Sequence, residues 1–257
     1  MKVAIFQQDI LLADSKGNRK KIASALSHLQ ECDLFVLPEM FTTGFCTTDK
    51  DGMIVCDDGQ TLPWMINMAK SNHLAMAGSV AVQAEDGHRY NRFYFVHPDG
   101  TVQAYDKRHL FTYGHEDSYF EAGERRVVVE YKGFRILLQV CYDIRFPVFS
   151  RCKEDYDAIL YVANFPALRI EAWRTLIRAR AIENQCFVIA ANRIGKDQAT
   201  NYNGFSAVID AYGQTIVEAD KPTEYVIMAD LDLKRQSVFR KRFPVLKDAD
   251  SFRLDEK

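Results

Sequence analysis

The chain has 257 residues, 47% of them hydrophobic, and a net charge of −2 from 33 basic and 35 acidic side chains. That balance offers no basic face for nucleic acid, and no stretch approaches the ~20 continuous apolar residues of a membrane-spanning helix. The apolar start at residues 1–6 is too short for a secretory signal, and six cysteines, at 32, 46, 56, 141, 152 and 186, lack CxxC spacing, so a cytoplasmic protein with reduced thiols is expected.

In chain order, apolar runs predict strands at residues 3–7, 34–37, 74–82, 92–97, 102–105, 127–131 and 135–140. Further strands are expected at 158–162, 186–191, 205–209 and 225–230. Helical spacing predicts helices at 19–30, where Ile22, Leu26 and Leu29 share a face, at 62–71 and at 172–184. Pro98-Asp99-Gly100, Asn201-Tyr202-Asn203-Gly204 and Ala211-Tyr212-Gly213 read as turns between strands. With no linker, repeat or low-complexity tract, a single layered α/β domain over 1–257 is expected. Hairpin-like pairs at 92–105 and 127–140, beside helix crossovers, indicate mixed sheets. The basic cluster Arg240-Lys241-Arg242 reads as a solvated or dimer-contact face.

Three strands end in chemistry. The run Leu34-Phe35-Val36-Leu37-Pro38 ends in Glu39, the strand at 102–105 ends just before Asp106 and Lys107, and the strand at 135–140 ends in Cys141. Ligands of α/β sheets gather at the carboxyl ends of strands, where loops converge. A thiol attacks an amide carbonyl only as thiolate. Glu39 can take the proton, Lys107 can stabilise the anion, and the Lys107 ammonium with the backbone N–H of Tyr142 can serve the oxyanion of the tetrahedral intermediate. Taken singly, each residue has an ordinary explanation: a buried cysteine, a solvated lysine, a helix-capping glutamate.

Together these residues resemble the nitrilase superfamily of carbon–nitrogen hydrolases. Leu37-Pro38-Glu39-Met40-Phe41 is similar to its glutamate block and Tyr105-Asp106-Lys107-Arg108-His109-Leu110-Phe111 to its lysine block. Val140-Cys141-Tyr142-Asp143-Ile144-Arg145-Phe146-Pro147 is similar to its nucleophile block, and the likeness continues through Ala163-Asn164-Phe165-Pro166 and Ala179-Arg180-Ala181-Ile182-Glu183-Asn184. The resemblance implies an αββα sandwich that pairs with a second copy as a homodimer, with the helix at 172–184 in or beside the interface. It also implies a second glutamate that orients the lysine and the substrate amide; Glu116, seven residues before Gly123, fits its spacing better than Asp117 or Glu121. Cys141-Tyr142-Asp143 is the amidase-like form rather than the Cys-Trp-Glu of true nitrilases.

Within that branch, the nucleophile block, Phe41-Thr42-Thr43-Gly44-Phe45 and Tyr161-Val162-Ala163-Asn164-Phe165-Pro166 look most like the omega-amidases. Those enzymes release ammonia from 2-oxoglutaramate and other omega-amides of dicarboxylic acids through a cysteine thioester. Arg145, four residues after the nucleophile, matches a substrate-carboxylate arginine of the related N-carbamoyl-amino-acid hydrolases, and pairing with Asp143 or capping the next helix is its structural alternative. The expected partner is a small-molecule amide, with no cofactor and no metal. An N-carbamoyl-acid amidohydrolase and a catalytically silent nitrilase-fold binding protein are the other readings of the family. Outside it, a Cys–His mechanism would use His109 or His115, and His109, His115, Glu116 and Asp117 form no familiar metal-ligand spacing. Neither GxGxxG nor GxxxxGK[ST] occurs.

Overall fold

The computed structural model describes residues 1–29 and 31–253. Its first sheet collects β1 (Lys2–Gln7), β2 (Leu34–Val36), β3 (Ala75–Gln83), β4 (Arg89–Val96) and β5 (Val102–Asp106), with α1 (Ser15–Ser27) and α2 (Thr61–Asn72) in the crossovers. The second sheet collects β6 (Val128–Tyr131), β7 (Phe134–Val140), β8 (Ala158–Ala163) and β9 (Phe187–Asn192). Between them run the one-turn α3 (Pro147–Ser150) and the longer α4 (Ile170–Asn184). A two-stranded ribbon, β10 (Ile194–Lys196) with β11 (Asn201–Asn203), precedes β12 (Ala207–Ile209) and β13 (Thr215–Glu218), which complete the second sheet. β14 (Tyr225–Asp230) returns to pair antiparallel with β1, and α5 (Leu233–Arg242) follows.

The strand orders are β14-β1-β2-β3-β4-β5 and β13-β12-β9-β8-β7-β6. Each sheet has three parallel strands at its centre, β1-β2-β3 and β7-β8-β9, flanked by antiparallel ones. The period-2 alternation of strand side chains sorts the layers. Val3 and Ile5 of β1 enter the core between the sheets, whereas Ala4 and Phe6 pack outward with Ile22 and Leu26 of α1 and Met65 and Ala69 of α2. On the other side Trp173, Ile177 and Ala181 of α4 cover the second sheet. The central strands of both sheets are therefore buried on both faces, which is why β8 and β9 are apolar at nearly every position. The expected αββα sandwich is the observed architecture.

The departures from expectation have physical causes. Helix α1 runs Ser15–Ser27, capped by Asp14, whose side chain accepts from Gly17 N, so it starts earlier than residue 19. Gln30, the expected end of that helix, lies outside the described residues. Asn201-Tyr202-Asn203 is a strand of the ribbon rather than a turn; the turn comes before it. Helix α5 was not foreseen, because only Gln236 of its residues is buried and no apolar stripe marks it. Arg240 of the basic cluster is no solvated charge. It donates to the carbonyls of Tyr156, Asn184 and Gln185 and to the Asp157 carboxylate, fastening α5 to the second sheet.

Candidate active site

β2, β3 and β5 run in one direction, so Glu39 and Lys107, just beyond β2 and β5, meet along one sheet edge. Cys141 and Asn164, just beyond β7 and β8, come from the facing edge of the other sheet. The structure brings Glu39, Lys107, Glu116 and Cys141 together, and the first three are fully buried. Lys107 Nζ donates to Glu39 Oε1 at 2.8 Å, to Glu116 Oε2 at 2.8 Å and to Glu116 Oε1 at 3.1 Å. Its backbone is pinned as firmly: its N–H donates to Asn91 O, and its carbonyl accepts from Gly123 N. Gly123 packs so closely that a Cβ there would lie 2.1 Å from the Asp106 carbonyl oxygen, so only glycine allows this approach.

Glu116 sits on a short 3-10 turn and is buried, while Asp117 and Glu121 are exposed, which places the spacing-selected carboxylate, and not its neighbours, at the lysine. Its four acceptor directions are filled by Lys107 twice, by Asn91 Nδ2 at 2.9 Å and by Phe111 N at 2.7 Å. Glu39 accepts from Lys107 and Asn91 Nδ2 on Oε1 and from Asn164 N at 2.8 Å on Oε2. Asn164 Nδ2 also holds the Glu39 carbonyl at 2.7 Å. Asn91 and Asn164 are thus parts of the site that were not singled out in the sequence; Asn164, directly after the apolar run of β8, carried the same strand-end signal as Cys141, whereas Asn91, between Tyr90 and Arg92, carried none.

Cys141 opens a 3-10 turn, residues Cys141–Arg145, with a left-handed φ of 43°. A side chain in that conformation is held only by its surroundings. Asp143 supplies them: Oδ2 accepts from Val140 N at 2.8 Å and from the Tyr105 hydroxyl at 2.7 Å, and Oδ1 accepts from His109 N at 3.1 Å. The result is a sharp strand-to-turn elbow that lifts the thiol out of the sheet toward the cleft. Tyr142 follows as the second residue of the turn, its ring edge-on to Phe111.

The electrostatics are those of a dry, charge-rich cluster. Burial and the Glu39 charge push the Cys141 thiol well above its ordinary range, only partly opposed by Lys107. Burial alone would lower Lys107, but Glu116, Glu39 and Cys141 hold it well above the usual lysine range, so it stays charged. Burial raises the Glu116 carboxyl, opposed chiefly by Lys107; with every lone pair meeting a donor, its ionised form is the one the geometry accommodates. Burial beside this ion cluster thus favours the neutral form of the Cys141 thiol.

A cleft of about 880 Å³ leads to Cys141, walled by Phe45, Phe111, Tyr142, Phe165, Arg145 and Arg169. Arg145 is exposed, its guanidinium 5.7 Å from the Phe165 ring, and it does not pair with Asp143. Arg169 lies 5.2 Å from the Phe111 ring and 5.9 Å from that of Tyr113. Among the described residues no carboxylate pairs with either guanidinium. His109 does not face the thiol as a base: its Nδ1 lies 2.7 Å from Asp143 Oδ1 and its ring stacks on Phe146 at 3.9 Å. His115 and Asp117 are exposed, and among the described residues no group of three or more His, Cys, Asp or Glu is placed to hold a metal.

Residues 2–241 match the sequence pattern of the family described as Carbon-nitrogen hydrolase. The chain belongs to that family. It is 42% identical to the omega-amidase YafV of Yersinia enterocolitica, covering 99% of this chain and 98% of that one. It is 33% identical to the 2-oxoglutaramate amidase of Bacillus subtilis over 96% of each chain. Among solved structures, XC1258 of Xanthomonas campestris, a CN-hydrolase superfamily protein with an arsenic adduct in its active site, superposes with a TM-score of 0.93 at 41% identity, covering 99% of both chains. This carbon–nitrogen hydrolase thus matches the family over residues 2–241, and it is a hydrolase of amide carbon–nitrogen bonds.

Proposed function

We propose that this hydrolase releases ammonia from small omega-amides of dicarboxylic acids, 2-oxoglutaramate among them. The observation that carries the substrate class is the cleft wall: two guanidiniums without carboxylate partners among the described residues line the cleft that leads to a thiol whose lysine is already neutralised by two buried glutamates. An unpaired arginine in a cleft suits a carboxylate, which it can hold with two parallel hydrogen bonds. Arg145 is assigned that task and Arg169 supports it. The names of the relatives, omega-amidase and 2-oxoglutaramate amidase, point to the same substrates.

Glu39, Lys107, Cys141 and Glu116 are assigned the chemistry. Glu39 takes the thiol proton as Cys141 Sγ bonds to the amide carbon. The oxyanion forms against the Lys107 ammonium, which is fully buried, and the backbone N–H of Tyr142. Glu39 then returns the proton to the leaving nitrogen, ammonia departs, and a thioester remains. Water attacks the thioester, giving its proton to Glu39, and the acid leaves as Cys141 regains a proton. The sum is amide plus water to acid plus ammonia. Glu116, saturated with donors, holds Lys107 in line and takes no proton.

On the family resemblance, the working form is proposed to be a cytoplasmic homodimer. The experiment is an ammonia-release screen with 2-oxoglutaramate, succinamate, glutamine, a simple nitrile and an N-carbamoyl acid. Preferred turnover of 2-oxoglutaramate or succinamate is expected. Carbon dioxide release from the N-carbamoyl acid, with the omega-amides untouched, assigns the protein to ureido acids instead; no turnover of any substrate marks a silent scaffold.

A further inference from the structure

One side chain touches both carboxylates of the site and belongs to neither block of charged residues. Asn91, third residue of β4, is fully buried and donates from a single Nδ2 to Glu39 Oε1 at 2.7 Å and to Glu116 Oε1 at 2.9 Å. Its backbone carbonyl accepts from Lys107 N at 3.0 Å, so the same residue fixes the lysine from behind. Its Oδ1 is buried with no partner. An orphaned acceptor carries a desolvation cost, and turning the amide over to relieve it would aim Oδ1 at two carboxylates. The orientation is therefore dictated by the negative charge in front of it.

The two glutamates differ in what that arrangement leaves open. Both acceptor directions on each oxygen of Glu116 are filled, by Lys107, Asn91 and Phe111 N. On Glu39, Oε1 is filled in the same way, while Oε2 has Asn164 N at 2.8 Å and only a long 3.5 Å contact from Asn164 Nδ2. We infer that Asn91 is a positioning residue that keeps both carboxylates ionised side by side and leaves Glu39 Oε2 as the one oxygen that receives the Cys141 proton. The titratable groups facing Glu39 are Lys107, Glu116, Cys141 and, from the loop beyond it, Cys46. Of the donors around these groups, Asn91 alone bridges the two carboxylates without carrying charge. Substituting it changes how protons are shared and leaves the formal charge intact.

The inference rests on the roles proposed for Glu39 and Cys141, and its test separates the two. Asn91→Ala and Asn91→Ser are compared with the parent protein in the pH dependence of kcat/KM for an omega-amide, and in the pH dependence of Cys141 alkylation by iodoacetamide, read by mass spectrometry. A hydrogen bond to an ionised group favours the ionised form. Losing Asn91 should therefore move the acid limb of both profiles to higher pH, by about one unit in Asn91→Ala. Asn91→Ser, which keeps a hydroxyl donor, should move it less. In Asn91→Ala kcat should fall at least about tenfold while KM changes little. Activity lost in step with a lower Tm, with neither profile displaced, overturns the inference, and so does an unchanged kcat. If the parent protein hydrolyses no amide, the functional proposal fails, and the alkylation profile still decides for or against Asn91.

Discussion

His109 Nδ1 lies 2.7 Å from Asp143 Oδ1, and that pairing removes the histidine from the thiol. The same carboxylate accepts from Val140 N, Tyr105 and His109 N, so Asp143 is the hub that shapes the elbow under Cys141. Asp143→Asn puts an amide N–H against N–H or O–H donors and should cost both stability and turnover. His109→Phe keeps the stack on Phe146 and should cost far less than loss of the nucleophile. Loss in His109→Phe as deep as in Cys141→Ala would restore a Cys–His mechanism.

Cys141→Ala should abolish hydrolysis with Tm nearly unchanged, because it deletes the nucleophile and little volume, and Cys141→Ser should be almost as inactive. Lys107→Ala should reduce kcat by about 10²–10³ or more, the cost of an oxyanion donor, with an added stability loss because Glu39 and Glu116 are left as unpaired buried charges. Glu39→Gln keeps its shape and loses its proton acceptor, so its kcat should fall comparably. Steady-state kinetics on folded, Tm-checked protein separates these outcomes. Near-normal turnover in either Lys107→Ala or Glu39→Gln contradicts the mechanism.

Much of this site was legible because the central strands of both sheets are buried on both faces. Glu39 follows a continuous apolar run and Cys141 a nearly apolar, buried one, whereas Lys107 follows the mixed, partly exposed β5 and was marked only by its place at a strand end. Asn91 was not legible, since its strand reads as Arg89-Tyr90-Asn91-Arg92 and nothing local separates a buried amide from a solvated one. Helix α5 stayed hidden for a related reason: Gln236 and Arg240 hold it by hydrogen bonds to backbone carbonyls at 157 and 185, and hydrogen bonds leave no hydrophobic period. The ribbon β10–β11 is three residues per strand, below the length at which alternation can be counted.

Arg240 and Asp157 give a test of that polar anchoring. Burial would raise the Asp157 carboxyl, but Arg135 and Arg240 together hold it below its ordinary range. A carboxylate depressed in the folded state contributes stability above its unfolded value of ~3.9 and loses it as pH falls through the folded value. Acid unfolding should therefore show a component below pH ~4 that Asp157→Asn removes. Arg240→Met should lower stability by about 2–4 kcal/mol at neutral pH, since it leaves three carbonyls and a carboxylate short of a donor. Denaturant unfolding of both variants checks this, and a change under about 0.5 kcal/mol, the range of an ordinary surface substitution, would make α5 an appendage.

The family resemblance implies that α4 lies in or beside a dimer interface, and its apolar face is used within the chain: Trp173, Ile177 and Ala181 are buried against the second sheet. If α4 borders an interface, its other side must do so, where Ile182 is half exposed above Gly213. Light scattering at micromolar concentration should give a dimer, and Ile182→Glu should shift it toward monomer. A monomeric parent protein removes the assembly proposal without touching the chemistry.

The substrate end of the cleft separates a binding arginine from a structural one. Among the described residues Arg145 has no carboxylate partner to lose, and its guanidinium faces the Phe165 ring, so its removal should leave Tm within about a degree or two. An omega-amide carries its carboxylate at the end opposite the scissile carbonyl, and a two-pronged hold there fixes the distance to Cys141. Arg145→Met should raise KM for 2-oxoglutaramate by at least about tenfold, the range expected for a charge-assisted hydrogen bond, while an uncharged short amide is hydrolysed nearly as before. Arg145→Lys should fall between, because an ammonium keeps the charge and cannot present two parallel donors. Arg169 lies on the aromatic shelf of Phe111 and Tyr113, and Arg169→Met should act in the same direction and more weakly. Both arginines acting on charged and uncharged substrates alike, with a lowered Tm, would assign them to the scaffold and leave the carboxylate without a binding group.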